Sequence, residues 1–356
     1  MEKDARIYVA GHRGLAGSAI WNNLKQKGYT NLIGKTREEL DLSDEAAVNR
    51  FFEAAAPEYV FLAAAHVGGI MANNTYRADF IFRNLAIQQH VIGKSFRYGV
   101  KKLLFLGSTC IYPRDAEQPI KEDALLTGPL EYTNEPYAIA KIAGLKLCES
   151  FNLQYGTNYL AVMPTNLYGP NDNFDLEKSH VLPAMIRKIH LAKCLREDDF
   201  PAVRKDLDRR PVEGINGEAE DGAILSLLEK YGITASGVKL WGTGRPLREF
   251  LWSEEMADAC VYIMENVNFN DLRNTSPEIR NCHINIGTGK EISTGDLARL
   301  IIKTVGYGGD LSFDAAKPDG TMRKLTDVTR LHTLGWRHKI EIKEGIKKMY
   351  RWYTEA

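Results

Sequence analysis

Ile7-Tyr8-Val9-Ala10-Gly11-His12-Arg13-Gly14-Leu15-Ala16-Gly17 decides the fold. The apolar run Ile7 to Ala10 reads as a short buried strand that must turn at once into a helix. Gly11 permits the tight turn, Gly14 lets the backbone approach a pyrophosphate, and Gly17 lets the helix pack close to the strand. The phosphates then meet the free N–H groups and positive dipole end of a helix N-terminus. Gly11, His12, Arg13, Gly14, Leu15, Ala16 and Gly17 are therefore the first candidate cofactor residues. Taken alone, the glycines also fit a structural turn in some other α/β protein.

The second strand, near Leu32 to Lys35, bears on which dinucleotide is held. A carboxylate roughly 20 residues beyond the glycines would bind a ribose 2′-OH. Arg37 stands there instead, and Arg13 lies in the glycine loop itself. Two guanidinium forks suit a 2′-phosphate, so the expected cofactor is NADPH. The other reading of Arg37 is a solvated loop charge, followed by Glu38 and Glu39.

Apolar runs at Val60 to Ala64, Lys102 to Gly107 and Tyr159 to Pro164 read as buried strands of a parallel sheet. Ala46 to Ala56 and Tyr76 to Tyr98 read as crossover helices. The expected fold is α/β: a Rossmann-like, doubly wound parallel sheet with a smaller, mixed α/β C-terminal substrate lobe. The expected boundaries are 1–170 for the dinucleotide domain and 171–356 for the lobe, with later segments such as His283 to Gly287 shared between them. Ala298 to Val305 reads as a further helix. Residues 196–222 are densely charged and poor in apolar side chains, which predicts an exposed, mobile insertion without chemistry. Ala223 to Tyr231 then reads as a short amphipathic helix.

Composition narrows the function. Of 356 residues 44% are hydrophobic, enough for a sizeable core, and Lys plus Arg equals Asp plus Glu at 46 each. No general attraction to nucleic acid or membrane follows, and no apolar stretch is long enough to span a bilayer. The first strand follows Met1 so closely that no signal peptide is expected. The five cysteines have no metal-like spacing, so reduced thiols, a cytoplasmic location and no metal are expected.

Tyr137 precedes Lys141 by four residues, so the two share one face of a helix. An ammonium beside the phenol would favour phenolate and make Tyr137 an acid–base group. Ser108, after the strand ending at Gly107, is placed to hydrogen-bond a substrate oxygen. Glycine turn, Ser108, Tyr137 and Lys141, in this order, resemble the extended short-chain dehydrogenase/reductases. Longer strings extend the resemblance over nearly the whole chain outside the charged stretch. They include Val67-Gly68-Gly69-Ile70, Ser108-Thr109-Cys110-Ile111-Tyr112-Pro113, Asn134-Glu135-Pro136-Tyr137 and Pro164-Thr165-Asn166-Leu167-Tyr168-Gly169-Pro170. Ser179-His180-Val181, Arg248-Glu249-Phe250 and Lys317-Pro318-Asp319-Gly320 continue it. Within that superfamily the chain resembles the GDP-L-fucose synthase family.

The resemblance implies NADPH-dependent epimerisation at C3 and C5, then reduction at C4, of GDP-4-keto-6-deoxy-D-mannose. It implies catalytic roles for Ser108, Cys110, Tyr137, Lys141 and His180, with Cys110 and His180 the epimerising pair and cysteine favoured as the base. Without it, Cys110 would read as a small buried hydrophobe and His180 as a loop or core histidine. It adds Ala63, Ala64, Ala65, Pro164, Thr165, Asn166, Leu167, Tyr137, Lys141 and His180 to the cofactor contacts. Lys188, Trp241, Arg248 and Asp319 would hold the GDP-sugar. A homodimer through the helices near Tyr76 to Tyr98 and Tyr137 to Tyr155 is also implied. Three alternatives stay open: a relative acting on a colitose- or heptose-type GDP-4-keto sugar, a nucleotide-sugar epimerase or dehydratase, and a non-enzymatic NADPH sensor. Dehydratases of this fold commonly carry Asp-Glu after the threonine, where this chain has Cys110-Ile111.

Overall fold

A computed structural model describes residues 1–273, 278–317 and 319–355; Pro318 of the quoted Lys-Pro-Asp-Gly string lies outside them. In chain order the first elements are β1 (Ile7–Ala10), α1 (Leu15–Gln26), β2 (Leu32–Ile33), α2 (Glu45–Ala55), β3 (Tyr59–Leu62), α3 (Ile70–Thr75), α4 (Arg77–Arg97), β4 (Lys102–Leu106), α5 (Glu135–Tyr155), β5 (Tyr159–Pro164) and β6 (Asn166–Tyr168). There follow α6 (Val181–Arg196), α7 (Phe200–Arg209), α8 (Asp221–Lys230), β7 (Gly237–Trp241), β8 (Leu247–Arg248), β9 (Phe250–Trp252) and α9 (Ser253–Asn266). The last are β10 (Ile284–Ile286), β11 (Ile292–Ser293), α10 (Thr294–Val305), β12 (Asp310–Asp314), β13 (Arg323–Lys324), α11 (Thr329–Thr333) and α12 (Ile342–Glu355).

Six strands form one sheet in the order β2-β1-β3-β4-β5-β10. Every neighbouring pair is parallel, with Val9 opposite Phe61 and Phe61 opposite Leu104. Alternate side chains of β1 enter different cores. Ile7 and Val9 pack with Ile20 and Leu24 of α1 and with Met256, Cys260 and Met264 of α9. Tyr8 and Ala10 face Phe52 of α2, Val91 of α4 and Leu145 of α5. The sheet is thus covered on both faces, which is why its strands read as unbroken apolar runs. Local chemistry sets the helix ends. Asp44 caps α2 by accepting the Ala47 amide at 3.0 Å. α5 carries Pro136 in its first turn and stops at Gly156, whose φ of 67° is left-handed.

The chain divides into two compact units. The first holds Met1–Asn171, Glu249–Lys290 and Lys324–Glu341, and the second holds Asp172–Arg248, Glu291–Arg323 and the chain from Ile342 on. The second unit therefore does not run unbroken from residue 171 to the C-terminus. The chain returns to the first unit twice: Glu249–Lys290 supplies α9, which covers one face, and β10, which completes the sheet beside β5, and Lys324–Glu341 supplies α11.

The charged stretch 196–222 is largely exposed, as its composition predicts, but it is folded onto the second unit rather than free of it. Asp199 caps α7 through the Ala202 amide at 3.1 Å, and α7 buries Val203 and Leu207, one helical turn apart. Arg187 of α6, fully buried, donates to Asp206 of α7 at 2.8 Å, to the Phe174 carbonyl at 3.1 Å and to the Arg210 carbonyl at 2.5 Å. Tyr353 of α12 donates to the other oxygen of Asp206. Arg204 gathers the carbonyls of Gly217 and Ala219 and the carboxylate of Asp221. Several of the charges that mimic a solvated surface are therefore internal fasteners.

Removing one partner of a buried ion pair leaves the other uncompensated, at about 3–5 kcal/mol. Asp206→Ala should lower the unfolding free energy by that order in urea titration. A loss below about 1 kcal/mol, the worth of an exposed pair, would return this stretch to the surface.

Candidate active site

The glycine turn sits where the connections from β1 and β3 diverge, the switch point of the sheet. Gly11 has φ of +80°, and a Cβ on it would stand 3.0 Å from the Cα and N of Ala64. A Cβ on Gly17 would lie 2.1 Å from the Gly11 carbonyl oxygen. Gly14 precedes the first residue of α1 and offers no side-chain cap, and the first turn of that helix holds no acidic residue. Its leading amides are therefore left for an anion. Ala63 donates its amide to the Ala10 carbonyl at 3.1 Å, placing Ala63, Ala64 and Ala65 along the same turn. The His12 ring packs near Trp21, with centroids 5.3 Å apart, and against Gly34. Arg13 and Arg37 are exposed. Hydrogen bonds from its own amide and from Thr36 hold the Glu38 carboxyl below the usual range, with Arg13 and Arg37 adding to the effect. The two guanidinium groups thus share one corner. This cradle fits an adenine dinucleotide bearing an extra phosphate. Beyond β5, Pro164 leads into Thr165, whose amide donates to the Ile286 carbonyl at 2.9 Å. Asn166, ahead of Leu167, donates its side-chain amide to the Glu249 carbonyl at 2.8 Å.

Ser108, Cys110, Tyr137 and Lys141 come together beyond β4. Ser108 starts a single 3₁₀ turn, Thr109–Ile111, and its Oγ accepts the Cys110 amide at 3.3 Å. Lys141 is buried, and its Nζ donates to the Leu106 carbonyl at 2.8 Å. It lies 4.8 Å from the Phe105 ring centroid and 5.7 Å from that of Tyr137. A glycine makes this reach possible. A Cβ on Gly144 would stand 2.5 Å from Phe105 Cζ and 2.8 Å from Gln88 Oε1, so α5 lies unusually close to β4.

Burial dominates the electrostatics. It lowers the Lys141 ammonium to about 8, against the pull of Cys110. It raises the Tyr137 phenol, and the Cys110 charge adds to the effect. The Lys141 hydrogen bond goes to the Leu106 carbonyl rather than to the phenol, so burial and not the lysine sets the direction of the Tyr137 shift. Burial also raises the Cys110 thiol, opposed by Lys324, by a hydrogen bond with Ser108 and by Lys141.

In the second unit, His180 is the residue from which α6 starts, and its side chain is exposed. Lys188 is buried, donates to the Tyr231 carbonyl at 2.7 Å and is lowered to about 8 by desolvation. Trp241 is 57% exposed, with the Lys317 ammonium 5.4 Å from its ring centroid. Arg248 donates to the Leu247 carbonyl at 2.9 Å and the Asp319 carbonyl at 3.4 Å. The Asp319 carboxylate accepts the Thr243 amide at 2.6 Å and hydroxyl at 2.7 Å, closing the turn after Trp241. Trp241, Arg248 and Asp319 thus form one group. The sequence reading missed Lys317 and Lys324, whose only signal was their place in and just after the Lys-Pro-Asp-Gly string.

The NAD dependent epimerase/dehydratase family matches residues 7–210 and 212–287. The chain belongs to that family. Among its relatives is a GDP-L-fucose synthase of Escherichia coli (strain K12), 48% identical over 98% of this chain and 97% of the relative. A GDP-6-OMe-4-keto-L-xylo-heptose reductase from Campylobacter jejuni superposes with a TM-score of 0.93 at 46% identity, covering 100% of this chain and 99% of that one. A GDP-D-glycero-L-gluco-heptose synthase from the same organism, in the presence of NADPH, gives 0.87 at 45% identity over 100% and 99%.

As an epimerase/dehydratase-family chain it should lose its dinucleotide when Gly17 becomes alanine. Alanine favours helix over glycine by about 1 kcal/mol, so α1 itself gains. The 2.1 Å clash with the Gly11 carbonyl must nonetheless displace the cradle. Gly17→Ala should weaken NADPH binding by at least about tenfold, near 1.4 kcal/mol, in fluorescence titration with unchanged far-UV circular dichroism. Wild-type affinity would show that the turn is only architectural.

Proposed function

We propose that the chain is an NADPH-dependent 3,5-epimerase and 4-reductase acting on GDP-4-keto-6-deoxy-D-mannose to give GDP-L-fucose. The observation that carries this reading is the presence of a buried thiol, Cys110, beside buried Lys141 and half-buried Ser108 and Tyr137. A simple reductase needs only the last three. The 48% identity to a GDP-L-fucose synthase supports the substrate class.

The protons at C3 and C5 flank the C4 ketone and can leave as enolates. Inversion removes each from one face and returns it on the other, which requires two groups. Cys110 takes the proton as thiolate, with Lys324 and Lys141 opposing the effect of burial. His180 returns it as imidazolium, the form an imidazole can supply near neutrality. Ser108 and Tyr137 donate hydrogen bonds to the C4 oxygen as its charge develops. Tyr137, kept protonated by burial, then gives its proton to that oxygen. NADPH, when bound, supplies the hydride for C4. Its diphosphate would lie on Gly11 to Gly17, its 2′-phosphate between Arg13 and Arg37, and its nicotinamide end along Ala63 to Ala65 and Pro164 to Leu167, near Lys141 and His180. Lys188, Arg248, Trp241 and Asp319 would hold the GDP portion, with the Trp241 face open for stacking.

The heptose enzymes at 45% and 46% identity favour a second reading, a heptose-type GDP-4-keto sugar on the same machinery. Product identification with both substrates separates the two. The proposed cytoplasmic enzyme is a homodimer. Phe82 and Phe96 on α4, with Ile139 and Leu153 on α5, are exposed, and a spacing of fourteen residues keeps each pair on one face. Among the described residues no helix is long and apolar enough to cross a membrane.

Cys110→Ser and Tyr137→Phe should fail differently. The serine variant should lose solvent deuterium uptake at C3 and C5 yet still oxidise NADPH, because a hydroxyl forms no comparable anion near neutrality. The phenylalanine variant should bind NADPH and not reduce. Unchanged uptake in Cys110→Ser would remove the thiol from the mechanism.

Arg37→Ala should raise the KM for NADPH and leave that for NADH alone. A charge-assisted hydrogen bond to the 2′-phosphate is worth about 1.5–3 kcal/mol, or about ten- to a hundredfold. A wild-type enzyme indifferent between the two cofactors would make Arg37 a solvated charge.

A further inference from the structure

Glu249 is fully buried, and its two carboxylate oxygens serve different segments. Oε1 accepts the amides of Thr288 at 2.6 Å and Gly289 at 2.7 Å. Oε2 accepts the amide of Thr326 at 3.0 Å and its hydroxyl at 2.6 Å. Gly287 is required beside it, because a Cβ there would stand 2.3 Å from Oε1 and 2.5 Å from the Thr326 hydroxyl. A carboxylate without such donors would be expensive to bury.

The segment held by Oε2, Lys324 to Asp327, is a strap. The Leu325 amide donates to the Gln118 side chain at 2.7 Å, and Ile120 and Thr326 form a parallel bridge. The strap is also tied to the turn that carries Cys110. Asn285 donates to the carbonyls of Ile120 at 3.0 Å and Asp327 at 3.2 Å, and accepts the Tyr112 hydroxyl at 2.5 Å, two residues beyond the thiol. At the head of the strap, Lys324 is the charged group acting most strongly on Cys110.

We propose that Glu249 is a positioning residue for proton transfer: it anchors the strap that presents the Lys324 ammonium to the Cys110 thiol. The inference rests on the reading of Cys110 as a proton-transferring group. Glu249 touches neither substrate nor thiol; it acts through Thr326 and Lys324. The charged or titratable groups facing Cys110 are Lys324, Lys141 and Tyr137, with the Ser108 hydroxyl alongside. Of these, Lys324 alone lies on the strap. Glutamine at position 249 would turn an NH₂ donor toward one of the two donor pairs, releasing either the 288–289 turn or the strap.

The test is Glu249→Gln in the full-length enzyme, read by deuterium uptake at C3 and C5 of GDP-4-keto-6-deoxy-D-mannose across a pH series. Withdrawing a cation from a thiol raises its pKa, so the exchange profile should move to higher pH. A profile displaced by about one pH unit would slow exchange about tenfold near neutrality, with recovery on the alkaline side. The loss should fall on the maximal exchange rate, with the KM for the GDP-sugar and the NADPH affinity retained. A structural bolt would lower the rate at every pH and would not recover. That outcome, or a wild-type profile, overturns the proposal. Thr326→Val, which removes only the hydroxyl donor, should give a smaller displacement in the same direction, and it decides the matter if Glu249→Gln does not fold. Cys110→Ser in parallel separates the two readings. Exchange that survives it overturns the role of Cys110 and this proposal with it. Exchange abolished by it, with an undisplaced profile in Glu249→Gln or in the folded Thr326→Val, overturns the proposal alone.

Discussion

The chain leaves β1 toward β2 on one side and resumes at β3 on the other, and the first unit is organised by that parting. Parallel strands covered on both faces offer few polar side chains within the sheet, Lys102 and Asn285 among them, so chemistry gathers in the loops at their carboxyl ends. Gly11 follows β1, Ala63 follows β3, Ser108 and Cys110 follow β4, Asn166 follows β5, and Thr288 follows β10. These positions are near one another because the strands are in register, although they are far apart in the chain. Close approach then refines the arrangement. Gly11 rests against Ala64, and Gly144 brings α5 down onto Phe105 so that Lys141 can reach the Leu106 carbonyl.

That proximity has an electrostatic cost, and the cost is distributed unevenly. Burial destabilises the ammonium of Lys141 and the anions of Tyr137 and Cys110 alike. A phenol held protonated suits a group that must donate, whereas a thiol held protonated opposes a group that must accept. Only the thiol has cations working against its burial, and one of them comes from a distant part of the chain. The acid and the base of the proposed mechanism therefore differ less in intrinsic chemistry than in the company each keeps.

What was legible in the sequence was whatever the backbone imposes on residue type. A left-handed φ at Gly11 and a missing Cβ at Gly17 leave a trace in the letters, and so does the four-residue spacing of Tyr137 and Lys141. β1, β4 and β5 read correctly because strands buried on both faces are apolar throughout. Roles created by packing were not legible. Lys317 and Lys324 are ordinary lysines until Trp241 and Cys110 are placed beside them, and Glu249 is an ordinary carboxylate until its donors are placed. Within the largely exposed stretch 196–222, the buried side of α7 was not legible for a related reason. Charge predicts exposure only when it is not neutralised internally, and Arg187 with Asp206 satisfy each other out of water. A composition shift near residue 170 likewise reveals the first passage between units, and of the later returns only the strand-like His283 to Gly287 left a trace.

Those returns matter during synthesis on the ribosome. β10, the strand that closes the open side of β5, spans Ile284–Ile286, so it leaves the exit tunnel only after the whole of Asp172–Arg248 has been made. Throughout that interval the nascent sheet presents the unpaired backbone of β5 and an apolar face awaiting α9, the surfaces on which strands from neighbouring chains add. The interrupted chain path thus leaves the β5 edge open for a defined stage of synthesis, from the emergence of β5 to that of β10.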